Sequence, residues 1–171
     1  MGVVPRILRA AGAAILLLLA ACDKATLKEP RPAPAFEVPD IAQGRLKLAD
    51  LKGKVVVLDF WATWCGPCIQ EIPEYAEFWK KNRSRGVEVV GMIVESGSPE
   101  DIQDFIRAYQ IPYRQVLGNE NIAAAYGVNQ GLPTTFVIDG DGRIREQMLG
   151  SDPTKFRRLQ EAVDLVLAGH S

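Results

Sequence analysis

Histidine is almost absent from this 171-residue chain: the single one, His170, stands one residue from the end. We read it as part of a solvated tail, and its position leaves histidine-based catalytic triads and most zinc or copper sites without a ligand. An excess of positive charge is lacking too. Lysine and arginine number 20 against 21 acids, and setting aside the first 21 residues removes only Arg6 and Arg9, leaving 18 against 21. That balance argues against nucleic-acid binding. Long apolar runs are also missing, since the most hydrophobic stretch, Ala10 to Ala21, is too short to span a bilayer comfortably. Cysteine is scarce and its count of three is odd. Outside the cytoplasm an odd thiol should pair between chains or react. What remains, 47% hydrophobic and 24% charged residues, suits one compact domain with a core.

The N-terminus accounts for the odd thiol. Arg6 and Arg9 followed by an apolar centre at Ile15 to Leu19 read as a secretory signal, residues 1–21. Leu19-Ala20-Ala21-Cys22 resembles the bacterial lipobox, which implies that Cys22 becomes the first mature residue, carries lipid and takes no part in redox chemistry. Several acyl chains hold a protein at a membrane surface far more firmly than one. Asp23 resembles the residue that retains such proteins at the inner membrane. Residues 22–35, with Pro30, Pro32 and Pro34, are expected to form an extended tether without a recognition role, leaving 36–171 as the domain.

Within the domain, Phe36 to Asp40 and Arg45 to Leu48 suggest a short hairpin around Gly44. Val55 to Phe60 is a continuous apolar run, as for a central strand covered on both faces. From Pro67, Ile69, Ile72, Ala76 and Trp79 recur at helical spacing, and Gly86 closes the element. Val87 to Val94 reads as the next buried strand. Ser98 and Pro99 open a helix to Tyr109 whose apolar face is Ile102, Phe105 and Ile106. A strand at Tyr113 to Leu117, a helix from Asn121 to Tyr126 and a hairpin, Thr134 to Ile138 with Arg143 to Leu149, follow. Asp152 and Pro153 open a terminal helix.

The chemistry lies at the end of the central strand, in Phe60-Trp61-Ala62-Thr63-Trp64-Cys65-Gly66-Pro67-Cys68. Two cysteines so spaced can be half of a zinc site, but no second pair or suitable histidine exists, so no metal and no cofactor are expected. Redox chemistry is favoured. Cys65 falls where a helix begins, and unpaired N–H groups with the positive end of the dipole stabilise a thiolate there. Cys68 follows one turn later, facing inward. Cys65 is therefore expected to be the exposed nucleophile and Cys68 the resolving thiol.

These residues resemble the thioredoxin superfamily, from about Phe36 to the last helix. The resemblance implies an α/β thioredoxin fold: a central mixed sheet flanked by helices, here with an N-terminal β-hairpin and an inserted helix-strand element. Pro73 stands where thioredoxins carry a kinking proline. Gly131-Leu132-Pro133-Thr134 resembles the loop whose cis-proline packs against the cysteine pair, which implies that Leu132 offers backbone groups to an extended substrate. Asp59 interrupts a buried run and matches the aspartate that accepts a proton from the second cysteine, a buried salt bridge being the alternative. Glu71, three residues after Cys68, matches a glutamate of the TlpA/ResA-like branch, which often has an uncharged residue at the Asp59 position. Which of the two carboxylates dominates stays open. Trp61 and Trp64 are expected to shield the site, with Gly66 and Pro67 between the cysteines, and Trp79 to lie in the core.

With the lipobox, the TlpA/ResA-like family is the nearest resemblance. It implies a reductase at the outer face of the cytoplasmic membrane, fed by a membrane thiol transporter. Its substrates would be protein disulfides, for example in cytochrome c or copper-site maturation. Gly66-Pro67 agrees, since thioredoxin with that pair is a reductant near about −270 mV. No dimerisation module is visible, so a monomer is expected. Alternatives are an oxidase or isomerase, a copper-site assembly protein using the thiols as soft ligands, and a thiol peroxidase.

Overall fold

The computed structural model describes residues 29–42 and 44–169. The signal segment, Cys22, Asp23 and His170 lie outside the described residues.

Parity along one strand organises the fold. In β4 (Val55–Trp61) every residue is buried. Successive side chains of a strand point to opposite faces. Val55, Val57 and Trp61 join one core and Val56, Leu58 and Phe60 the other. Asp59 has the parity of Val57 and Trp61, so its carboxyl is delivered to the first of these cores.

That core is closed by α1 (Gly66–Asn82), α2 (Pro99–Ala108) and α4 (Lys155–Ala168), through Ile72, Tyr75 and Phe78, Ile102, and Leu159, Val163 and Val166. The opposite core is closed by Phe36, Val38 and Leu46 near the N-terminus and by Tyr126 of α3 (Glu120–Tyr126).

Next to β4 lie β5 (Val87–Ile93), parallel, and β7 (Thr134–Ile138), antiparallel. β6 (Arg114–Leu117) extends the sheet parallel to β5, and β8 (Arg143–Leu149) pairs antiparallel with β7. The short hairpin β2 (Glu37–Pro39) and β3 (Arg45–Lys47) forms a separate two-stranded sheet, tied to β6 by a bridge between Asp40 and Val116. A Cβ at Gly91 of β5 would overlap the Gln115 amide, which would have to move and give up the hydrogen bond its oxygen accepts from Trp61 Nε1 at 3.0 Å.

Three expectations need correction. Arg31 and Pro32, assigned by composition to the tether, form strand β1 (Arg31–Pro32) at the sheet edge, antiparallel to β8. Proline is tolerated at such an edge. Arg143 donates to the Pro30 carbonyl at 2.8 Å and Tyr126 to that of Pro34 at 2.9 Å, so the chain is fastened to the domain before residue 36.

Second, the fully buried stripe of α1 runs through Cys68, Glu71, Ile72, Tyr75, Phe78 and Asn82; of the expected positions Ile72 lies in it, while Ile69, Ala76 and Trp79 are half-buried, Ile69 and Trp79 packing against the core. Polar residues inside the stripe rotated it away from the apolar pattern. Trp79 is only partly buried, with the Arg83 guanidinium 4.7 Å above its ring.

Third, α4 starts at Lys155 and not at Pro153. Asp152 instead accepts from the Thr154 N–H at 2.8 Å and closes a turn there.

Candidate functional site

The carboxyl end of β4 hands the chain to a tight loop, held at Cys65 N–H by the Ala62 carbonyl at 3.1 Å. Cys65 is the N-cap of α1, and its sulfur accepts from the Cys68 N–H at 3.3 Å. The two cysteines are joined as a disulfide. Cys65 is 5% exposed and Cys68 3%. The expected contrast between an open Cys65 and a covered Cys68 is therefore slight once the bond draws both sulfurs together.

Around them Gly66 and Pro67 are exposed, and Trp64 is 62% exposed. The Trp64 indole is not loose. Its Nε1 donates to the Glu95 carbonyl at 2.7 Å, and Glu95 adopts φ 50°, in the left-handed region that a glutamate seldom visits. The same loop is clamped by Thr63 N–H donating to Ser96 Oγ at 3.0 Å.

The Leu132–Pro133 peptide is cis. Pro133 is buried, its carbonyl accepts from Gly150 N–H at 2.8 Å, and half-buried Leu132 packs against the core cluster that includes both cysteines.

Between β4, α1, β7 and α4 lies a buried polar cluster. Asp59 Oδ1 accepts from Tyr75 OH at 2.9 Å and from Thr135 Oγ1 at 2.8 Å. Burial pushes the Asp59 carboxyl up to about 6. The Lys155 charge is the largest opposing influence, followed by the Thr135 hydroxyl; Glu71 adds to the rise and Tyr75 opposes it. Burial, with the nearby Asp59 charge, also raises the Tyr75 and Tyr113 hydroxyls above their ordinary value.

Glu71 does not stand alone beside Cys68. Its Oε2 accepts from Lys155 Nζ at 2.6 Å, and Lys155 is 0% exposed. The ammonium also lies 5.4 Å from the Tyr75 ring centroid. The salt bridge weighed for Asp59 is thus found at Glu71.

Sequence reasoning placed Asp59, Glu71, Cys65, Cys68, Leu132 and Pro133, and missed Lys155, Tyr75 and Thr135. A signal for Lys155 existed: it stands four residues before Leu159 and eight before Val163, on the stripe of α4 that enters the core.

Comparison with known proteins fits this arrangement. Residues 30–147 match the AhpC/TSA family. The thiol-disulfide oxidoreductase ResA of Bacillus thuringiensis (strain Al Hakam) is 36% identical over 129 residues, covering 75% of this chain and 73% of that one. ResA of Bacillus subtilis (strain 168) is 37% identical over 129 residues, covering 75% and 71%. The crystal structure of a thiol:disulfide interchange protein of the thioredoxin family from Chlorobium tepidum TLS superposes with a TM-score of 0.71 at 29% identity, covering 82% of this chain and 98% of that one. The match to that family model and to these relatives means that the chain, with its helix-capping Cys65 and the Cys65–Cys68 pair on a thioredoxin fold, belongs to the AhpC/TSA thioredoxin-like family and is a thiol-disulfide oxidoreductase.

Proposed function

We propose that the protein is an extracytoplasmic reductase of particular protein disulfides, held at the outer face of the cytoplasmic membrane through lipid on Cys22. The observation that carries the redox part is Cys65 at the N-cap of α1, with its sulfur accepting the Cys68 N–H. That N–H and the helix dipole favour negative charge on this sulfur more than on the other.

In the reduced enzyme the Cys65 thiolate attacks a substrate disulfide, forming a mixed disulfide and releasing the first substrate thiolate. The Cys68 thiol then gives its proton to Asp59, and the resulting thiolate attacks the Cys65 sulfur. The Cys65–Cys68 bond forms, the mixed bond breaks, and its electron pair leaves on the second substrate sulfur. Asp59 returns its proton through solvent to a departing thiolate, while the other proton taken up by the product comes from water. Two electrons pass from the dithiol to the substrate. A membrane thiol transporter resets the enzyme by supplying two electrons in turn.

Leu132, which packs against the core cluster containing both cysteines, and the cis bond to Pro133 support a reading in which an extended substrate pairs with backbone there. Apocytochrome c and copper-site cysteines are the substrates this reading favours. A monomer suffices for it.

Equilibration of the purified protein with glutathione tests the direction of electron flow. A reductase should settle near about −270 mV, whereas a value near about −120 mV would make it an oxidant and end this reading. The anchor is tested separately. The wild-type protein made in a bacterial envelope should take up labelled palmitate and sediment with membranes, and Cys22→Ala should lose the label and become soluble after signal processing. A labelled Cys22→Ala protein would place the lipid elsewhere.

A further inference from the structure

Two carboxylates and one ammonium share the buried space between β4, α1 and α4, and their hydrogen bonds are unequal. Lys155 has no access to water, so its charge needs a buried partner. The partner it takes is Glu71, through Oε2 at 2.6 Å. Asp59 has no ion pair among the described residues. Both hydroxyls that reach it, from Tyr75 and Thr135, converge on Oδ1, whereas Glu71 is held through Oε2 alone, its buried Oε1 having no hydrogen-bond partner among the described residues.

We propose that Lys155 is a positioning residue that separates the roles of the two acids: it holds Glu71 in an ion pair and leaves Asp59 as the group that exchanges a proton with Cys68. This rests on the dithiol mechanism above and adds to it an assignment of each carboxylate.

The groups facing Asp59 come from every element packed around it. Helix α1 supplies Tyr75 and Glu71, β7 supplies Thr135, α4 supplies Lys155, and Tyr113 precedes β6. The neighbouring strand β5 presents Gly91 opposite Asp59, with nothing to titrate. Among these only Lys155 is a cation. The cluster therefore carries one negative charge more than Lys155 compensates whenever Asp59 is ionised, and is neutral when Asp59 holds a proton. Burial makes the second state the less costly one, which is why the Asp59 carboxyl sits near 6.

The test uses the reduced full chain, with the carboxyl carbon of Asp59 followed by NMR and the rate of mixed-disulfide resolution followed across pH 5–9. Lys155→Met should raise the Asp59 midpoint by about one unit or more and move the pH profile of resolution by the same amount. Glu71→Gln, which removes a neighbouring negative charge, should lower both. The double variant, with the pair replaced by neutral side chains of similar volume, should lie between the two single variants.

A purely structural lysine would change stability and leave the midpoint in place. If Lys155→Met does not fold, Glu71→Gln and the double variant still differ only at Lys155, and the double variant must show the higher midpoint. An unmoved Asp59 midpoint, or proton uptake between pH 5 and 8 that follows Glu71 instead of Asp59, overturns the assignment. Alkylation of Cys65 in the same samples separates the two levels. A reactive Cys65 with an unmoved Asp59 removes the role of Lys155 alone, and an inert Cys65 in the wild type removes the dithiol mechanism and this proposal with it.

Discussion

A Cys68→Ser variant, reduced and then mixed with a disulfide-bearing protein such as insulin, is expected to accumulate as a covalent adduct through Cys65. The reason is positional. Cys65 caps α1 and can attack, while Cys68, one turn further along the same helix, supplies the second sulfur that would break the mixed bond. A serine oxygen at 68 cannot take over disulfide exchange, so the intermediate has no internal exit. Cys65→Ser should form no adduct and reduce insulin no faster than a control without enzyme. Mass spectrometry before and after dithiothreitol reads both results. Adducts that form through Cys68 in the Cys65→Ser protein, at the rate seen for Cys68→Ser, would reverse the two roles. Applied to an envelope extract, the same trap captures the natural substrate.

Asp59→Asn should slow resolution and strengthen the fold at once. Burial holds the Asp59 carboxyl near 6 in the folded chain, against an ordinary 3.8. The folded state therefore binds the proton more tightly than the unfolded one. The Asp59 contribution to native stability should be greatest below about pH 4, fall as the pH rises to about 6, and stay level above that. An elevation of roughly two units corresponds to about 3 kcal/mol. Asparagine has no such titration, so the variant should gain up to about 3 kcal/mol over the wild type at pH 7 and almost nothing at pH 3.5, by urea unfolding at each pH. Loss of a positioned proton acceptor should slow mixed-disulfide resolution by about a hundredfold or more near pH 8. A wild-type stability that rises between pH 4 and 6 on account of Asp59 would contradict this, and so would an unchanged resolution rate.

Much of this site could be read from the sequence because its parts are local. Val55 to Phe60 is apolar enough to announce a doubly covered strand, and strand parity sends Asp59 inward. The spacing of Cys65 and Cys68 needs only one helical turn. Lys155 was legible only through its spacing from Leu159 and Val163, and its role was not, for the opposite reason: its partner, Glu71, is 84 residues away, and a lysine on a helix is ordinarily solvated. The stripe of α1 was misread because Glu71 and Tyr75 look like surface residues until Lys155, Asp59 and Thr135 satisfy them. Arg31 and Pro32 carry no strand pattern of their own, since two residues cannot show a period. Only the open edge of β8 makes them a strand.

The left-handed Glu95 and its grip on the Trp64 indole bear on how this enzyme meets its clients. A large aromatic side chain standing in solvent would normally lose rotational freedom when a second molecule settles on it, and that loss weakens association. Here the ring is immobilised before any encounter, by a carbonyl that an awkward backbone turn aims at it. Docking on Trp64 then costs little rotamer freedom on the enzyme's side, and what ordering remains falls on the visiting chain.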